Sequence, residues 1–97
     1  MSDSASQTTK AVASRGTVLV VDDDPTVAGS LTGFLAEIGY SADAVSSGES
    51  ALARLADADL PEVQVVLSDM SMPRMDGLEL LREINRTHPA VAVIMLT

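Results

Sequence analysis

Cysteine is absent from this 97-residue chain, which excludes a disulfide framework and any thiolate metal site. Tryptophan is also missing, and Phe34 and Tyr40 are the only aromatic residues, so a core must be assembled from Val, Leu, Ile, Ala and Met. His88 is the single histidine, which rules out a histidine-rich metal centre. Basic residues number six against 14 acidic ones, for a formal net charge of −8. A surface of that sign repels nucleic acid and anionic membranes and argues against direct contact with either. Long apolar runs are lacking too: none reaches membrane-spanning length, and the first residues carry no signal-peptide core. A soluble, cytoplasmic chain of one domain is the expectation.

What is present is a regular alternation. Residues 1–15 are small, polar and without periodicity, as in a disordered tail. From Gly16 the pattern changes. Thr17 to Val21 is a continuous apolar, β-branched run, suited to a strand covered on both faces. Asp24-Pro25 then supplies an N-cap and a first-turn proline. Val27, Leu31, Phe34, Leu35 and Ile38 follow at helical spacing until Gly39 stops the helix. Tyr40 to Val45 reads as a second, less apolar edge strand, and Glu49 to Ala58 as a second helix with Leu52 and Leu55 inward. Val63 to Ser68 forms a third strand ending at Asp69. A third helix opens at Asp76 or Gly77 and runs to His88, with Leu78, Leu81 and Ile84 inward; Ala90 to Leu96 forms a fourth strand. Strand–helix alternation with short, right-handed connections predicts an α/β fold, a doubly wound parallel sheet with helices on both faces.

Carboxylates stand at the ends of two apolar strands: Asp22 and Asp23 after the first, Asp69 after the third. In a sheet of order 2-1-3-4 these strands are neighbours at the topological switch point, where ligands bind beyond the strand ends. Adjacent strands lie about 4.8 Å apart, so the three side chains can converge on one ion. Three carboxylates so close repel one another without a cation. An all-oxygen site suits Mg²⁺ (or Mn²⁺) rather than zinc. An aspartate beside such a metal can attack a phosphoryl group and form an acyl phosphate.

The segments VLVVDDDP, VVLSDMSMPRMDG and VAVIMLT, in this order, resemble the response-regulator receiver domains of two-component signalling over residues 17–97. The resemblance implies a flavodoxin-like sheet. It also implies that Asp69 accepts a phosphoryl group from a histidine kinase, a phosphotransfer protein or a small phosphodonor. By the same resemblance Asp23 ligates Mg²⁺ directly, Asp22 holds metal-bound water, and the Ser71 backbone carbonyl is a further ligand. Thr97 then provides the switch hydroxyl, and Pro73 and Gly77 shape the loop. The protein would be a signalling phosphoprotein rather than an enzyme. Asp24 and Asp76 are read as helix caps, Met70, Met72 and Met75 as loop packing, and His88 as a residue placed favourably at a helix C-terminus.

Receiver domains continue with a further helix, a fifth strand and a last helix. The chain therefore reads as truncated after its fourth strand, a fragment with impaired switching and marginal stability. The lysine that ends the family's fifth strand has no counterpart, since Lys10 in the tail is the only lysine. The fourth strand would become an exposed apolar edge, open to self-association, and one sheet face would lose a covering helix. Two rivals stand beside this reading. One is a degenerate, non-phosphorylated interaction module. The other is a haloacid-dehalogenase-like phosphatase using Asp22 and Asp24 of the DxDxT pattern, which leaves the DMSMPRMDG loop unexplained. A dinucleotide site is excluded by a first turn that is acidic and lacks glycine.

Overall fold

A computed structural model describes residues 15–96. Its elements are β1 (Thr17–Val21), α1 (Pro25–Glu37), β2 (Ser41–Val45), α2 (Gly48–Ala56), β3 (Val65–Asp69), α3 (Gly77–Thr87) and β4 (Ala92–Leu96). The four strands form one parallel sheet of order β2-β1-β3-β4, the order expected. The expected tail falls outside the described residues apart from Arg15, whose N–H donates to the Gly39 carbonyl at 2.8 Å.

Local chemistry sets the element ends. Asp24 caps α1 by accepting from the Thr26 N–H at 2.9 Å, with Pro25 in the first turn. Gly39, at φ 102°, turns the chain out of that helix. Ser47 caps α2. Asp76 and Glu79 form a reciprocal capping box on α3: Asp76 Oδ1 accepts from Glu79 N–H at 2.9 Å, and Glu79 Oε1 accepts from Asp76 N–H at 3.1 Å. His88 is the C-cap of α3, and Pro89 follows it.

The core lies between the sheet and the α2/α3 layer. Leu19, Val21 and Val66 meet Ala51, Leu80 and Ile84 there, with Val63 and Met72 closing the ends. The inward residues of α3 are Leu80 and Ile84, one helical turn apart; Leu81 is half-buried and Leu78 is exposed. That corrects the expected stripe of Leu78, Leu81 and Ile84. Apolar residues on both flanks of the helix made two stripes compatible with the spacing, and packing against the sheet and α2 buries the one carrying Leu80 and Ile84. Val63 is buried although β3 begins at Val65, because burial does not require ladder pairing.

Among the described residues the opposite face is covered only by α1, which packs on β1 and β2. Ala28 is the sole buried residue of that helix, while Val27, Phe34 and Ile38 are exposed. Side chains alternate along a strand, so Leu67 and Ile94 point to this face, away from Val66 and Val93. Ile94 is 50% exposed.

Candidate functional site

β1 and β3 lie side by side with Val21 opposite Ser68, so the residues that follow, Asp22 and Asp69, emerge together at the carboxyl edge of the sheet. Asp22 continues the ladder by donating its N–H to the Val45 carbonyl at 3.1 Å. Its side chain is only 7% exposed, and Oδ1 accepts from the Asp24 N–H at 2.8 Å. Asp23 points into solvent, and Asp69 is half-buried. One carboxylate oxygen from each of Asp22, Asp23 and Asp69 lies within 4.8 Å of the others.

The ion pairs among the described residues join Arg54 to Asp43, Arg74 to Glu49 and Arg86 to Glu83, all away from this cluster. Among the described residues three carboxyl groups thus converge with no ion pair to a protein cation, an arrangement that a hard divalent cation would stabilise. The donor set is entirely oxygen, which suits Mg²⁺ or Mn²⁺. A groove of about 580 Å³ lined by Asp22, Asp23, Pro25, Ala28, Ser46 and Ser50 opens beside the cluster. Another hollow, lined by Leu55, Pro61, Val63 and Pro89, lies at the amino edge of the sheet, far from these carboxylates.

The loop after Asp69 is built around its backbone. Ser71 donates its N–H to Asp69 Oδ1 at 3.2 Å, which fixes the carboxylate's orientation. Met72 is buried in the core. Gly77 donates its N–H to the Met70 carbonyl at 2.9 Å. A Cβ at Gly77 would lie 2.6 Å from the Asp69 carbonyl oxygen, so only glycine permits this approach. Asp24, the acid/base of the phosphatase alternative, has Oδ1 engaged as the α1 cap. Thr97 lies outside the described residues; the register ends with Asp69 opposite Leu96, whose carbonyl accepts from the Met70 N–H at 3.2 Å.

Three features of this end were not legible in the sequence. Ser68 is fully buried, its hydroxyl donating to the Asp69 carbonyl at 3.0 Å. Arg74 has φ 67°. Gly48 makes room for Met75, whose Sδ would lie 2.6 Å from an added Cβ. Met75 and Gly48 are visible as residues, but nothing in their spacing announces the contact.

Residues 18–97 match the family model described as the response regulator receiver domain. The chain is 43% identical over 83 residues to the DNA-binding transcriptional regulator NtrC of Salmonella typhimurium strain LT2, covering 86% of this chain and 17% of that protein. It is 40% identical over 80 residues to the nitrogen assimilation regulatory protein NtrX of Azorhizobium caulinodans, covering 82% of this chain and again 17% of the relative. It therefore spans about a sixth of the length of these relatives. Among solved structures, a response regulator receiver domain protein from Clostridium thermocellum superposes with a TM-score of 0.78 at 33% identity, covering 84% of this chain and 64% of that one. A family match over nearly all the described fold, on a sheet of the expected strand order, places the chain in the response regulator receiver domain family of two-component signalling.

Proposed function

We propose that this chain is a phosphoacceptor, with Asp69 as the residue that takes the phosphoryl group. The observation that carries the reading is the convergence of Asp22, Asp23 and Asp69 at the ends of two adjacent strands. Receiver domains are signalling modules that interact with histidine kinases or phosphotransfer proteins, and a phosphohistidine of such a partner is the donor in this reading. An Asp69 carboxylate oxygen attacks phosphorus, the P–N bond breaks, and the histidine nitrogen leaves with its electron pair and takes up a proton. The product is an acyl phosphate on Asp69.

Bound at the cluster, Mg²⁺ supplies the positive charge that lets an anionic carboxylate meet an anionic phosphoryl group. Asp23 would ligate it directly, Asp22 would hold its water, and the Ser71 carbonyl would complete the protein's share. The Asp24 N–H holds Asp22, and the Ser71 N–H holds Asp69 Oδ1, so two of the three carboxylates are oriented before any ligand arrives. Thr97 is assigned the hydroxyl that meets a phosphoryl oxygen.

Beryllofluoride with Mg²⁺ mimics an aspartyl phosphate and tests the assignment. Addition to the whole chain should shift the backbone NMR signals of Asp22, Asp23, Asp69 and Ser71, and Asp69→Asn should abolish the response by at least a hundredfold in apparent affinity. A response that survives Asp69→Asn and is lost in Asp22→Asn would move the nucleophile to β1 and favour the phosphatase. A well-folded chain that is silent to both additions would leave the non-phosphorylated interaction module.

A further inference from the structure

The loop between β3 and α3 takes an unfavourable backbone conformation at a residue poorly suited to it. Arg74 has φ 67°, the only positive φ at a non-glycine position among the described residues. Across it the Met75 N–H donates to the Pro73 carbonyl at 2.8 Å. A hydrogen bond from i+2 to i around a residue of positive φ is the rarer and more strained form of γ-turn. Glycine would adopt it without penalty, so an arginine needs a reason in its side chain.

That side chain reaches back to α2. Arg74 Nε donates to Glu49 Oε2 at 3.3 Å, and Glu49 stands in the first turn of the helix. The neighbouring Met75 reaches the same turn, seated on Gly48. At the other end of the loop the Ser71 N–H is bonded to the Asp69 carboxylate. A short, doubly pinned segment therefore runs from the acidic cluster to the N-terminus of α2.

We propose that Arg74 is a positioning residue, holding the β3–α3 loop, and with it Ser71 beside Asp69, against the first turn of α2. The inference rests on the phosphoacceptor reading and adds to it that metal affinity at the cluster is tuned from α2. The pair is exposed on both sides, so its influence is small and sensitive to salt.

The test titrates Mg²⁺ into the whole chain by NMR, alongside thermal melts, for wild type, Arg74→Gly, Arg74→Lys and the charge swap Glu49→Arg/Arg74→Glu. Arg74→Gly relieves the backbone, so Tm should hold or rise while Mg²⁺ affinity falls by about two- to fivefold, as expected from an exposed pair. The Ser71 amide signal should move in this variant before any metal is added. Arg74→Lys and the charge swap should each recover most of the affinity. A purely structural role would instead move Tm and affinity together, with no recovery by lysine, and would overturn the proposal. So would an Arg74→Gly protein that binds Mg²⁺ as tightly as wild type. If wild type itself binds no Mg²⁺, the phosphoacceptor reading falls and this one with it, an outcome distinct from variants that match a binding parent.

Discussion

The two faces of the sheet are built from similar residues and end in different states. On the α2/α3 face, Leu19, Val21 and Val66 are completely buried beneath Leu80, Ile84 and Ala51. On the other face Val18 and Val20 of β1 are buried too, yet α1 leaves Phe34 58% exposed and Val27 and Ile38 exposed, with Ala28 its one buried residue. The difference lies in what each helix meets. The α2 and α3 helices pack on the sheet and against each other, whereas α1 has β1 and β2 beneath it and no helical neighbour on its side among the described residues. Amphipathic spacing shows that a helix has a face to cover, and leaves open whether the chain provides the cover.

The sharpest way to break the comparison is to cut into each face. Leu80→Ala should cost about 2–5 kcal/mol, read by urea unfolding, because it opens a cavity in the closed face. An effect below 1 kcal/mol would mean that this face is no better packed than the other. Gly77→Ala forces a methyl group against the Asp69 carbonyl and should cost about 1–3 kcal/mol. It should also shift the amide signals of Asp69 and Met70, which a change at Leu80 reaches only indirectly. Phe34→Ser should lie within about 0.5 kcal/mol of wild type, since the ring is mostly in water already. A loss above about 1.5 kcal/mol would show that the open face is covered in solution.

The smallest effect expected is electrostatic. The Arg86 guanidinium, hydrogen-bonded to Glu83, holds that carboxyl below the usual carboxylate range. A depressed carboxyl stabilises the fold above its unfolded pKa, and the contribution is lost as pH falls through the folded value. Glu83→Gln should therefore lower Tm slightly near pH 7 and leave it unchanged well below pH 4.5, the ordinary glutamate value. The same small difference at both pH values would show that the pair contributes no linked stability.

Strand order and the acidic cluster were both legible because each rests on an absolute signal. The run from Val18 to Val21 is apolar throughout, which fits a central strand, and Asp22, Asp23 and Asp69 stand at its end and at the end of its neighbour. The caps at Asp24 and Asp76 were legible for the same reason, a side chain acting on a backbone group two or three residues away. What escaped the sequence depended on long-range partners. Leu78 and Leu80 are equally apolar, and only the seating of α3 separates them. The γ-turn at Arg74 lies where Gly or Asn would have signalled positive φ.

The close seating of Gly77 on the Asp69 carbonyl gives α3 the mechanics of a pointer mounted on the Asp69 peptide. The helix holds 11 residues, so at a rise of about 1.5 Å per residue it extends roughly 16 Å from that mount. A tilt of about 4° at the base would sweep its far end, near Arg86 and His88, through about 1 Å. With no Cβ at the pivot, the helix base sits directly on the Asp69 carbonyl, and its far end lies at the amino edge of the sheet, on the side remote from the carboxylates.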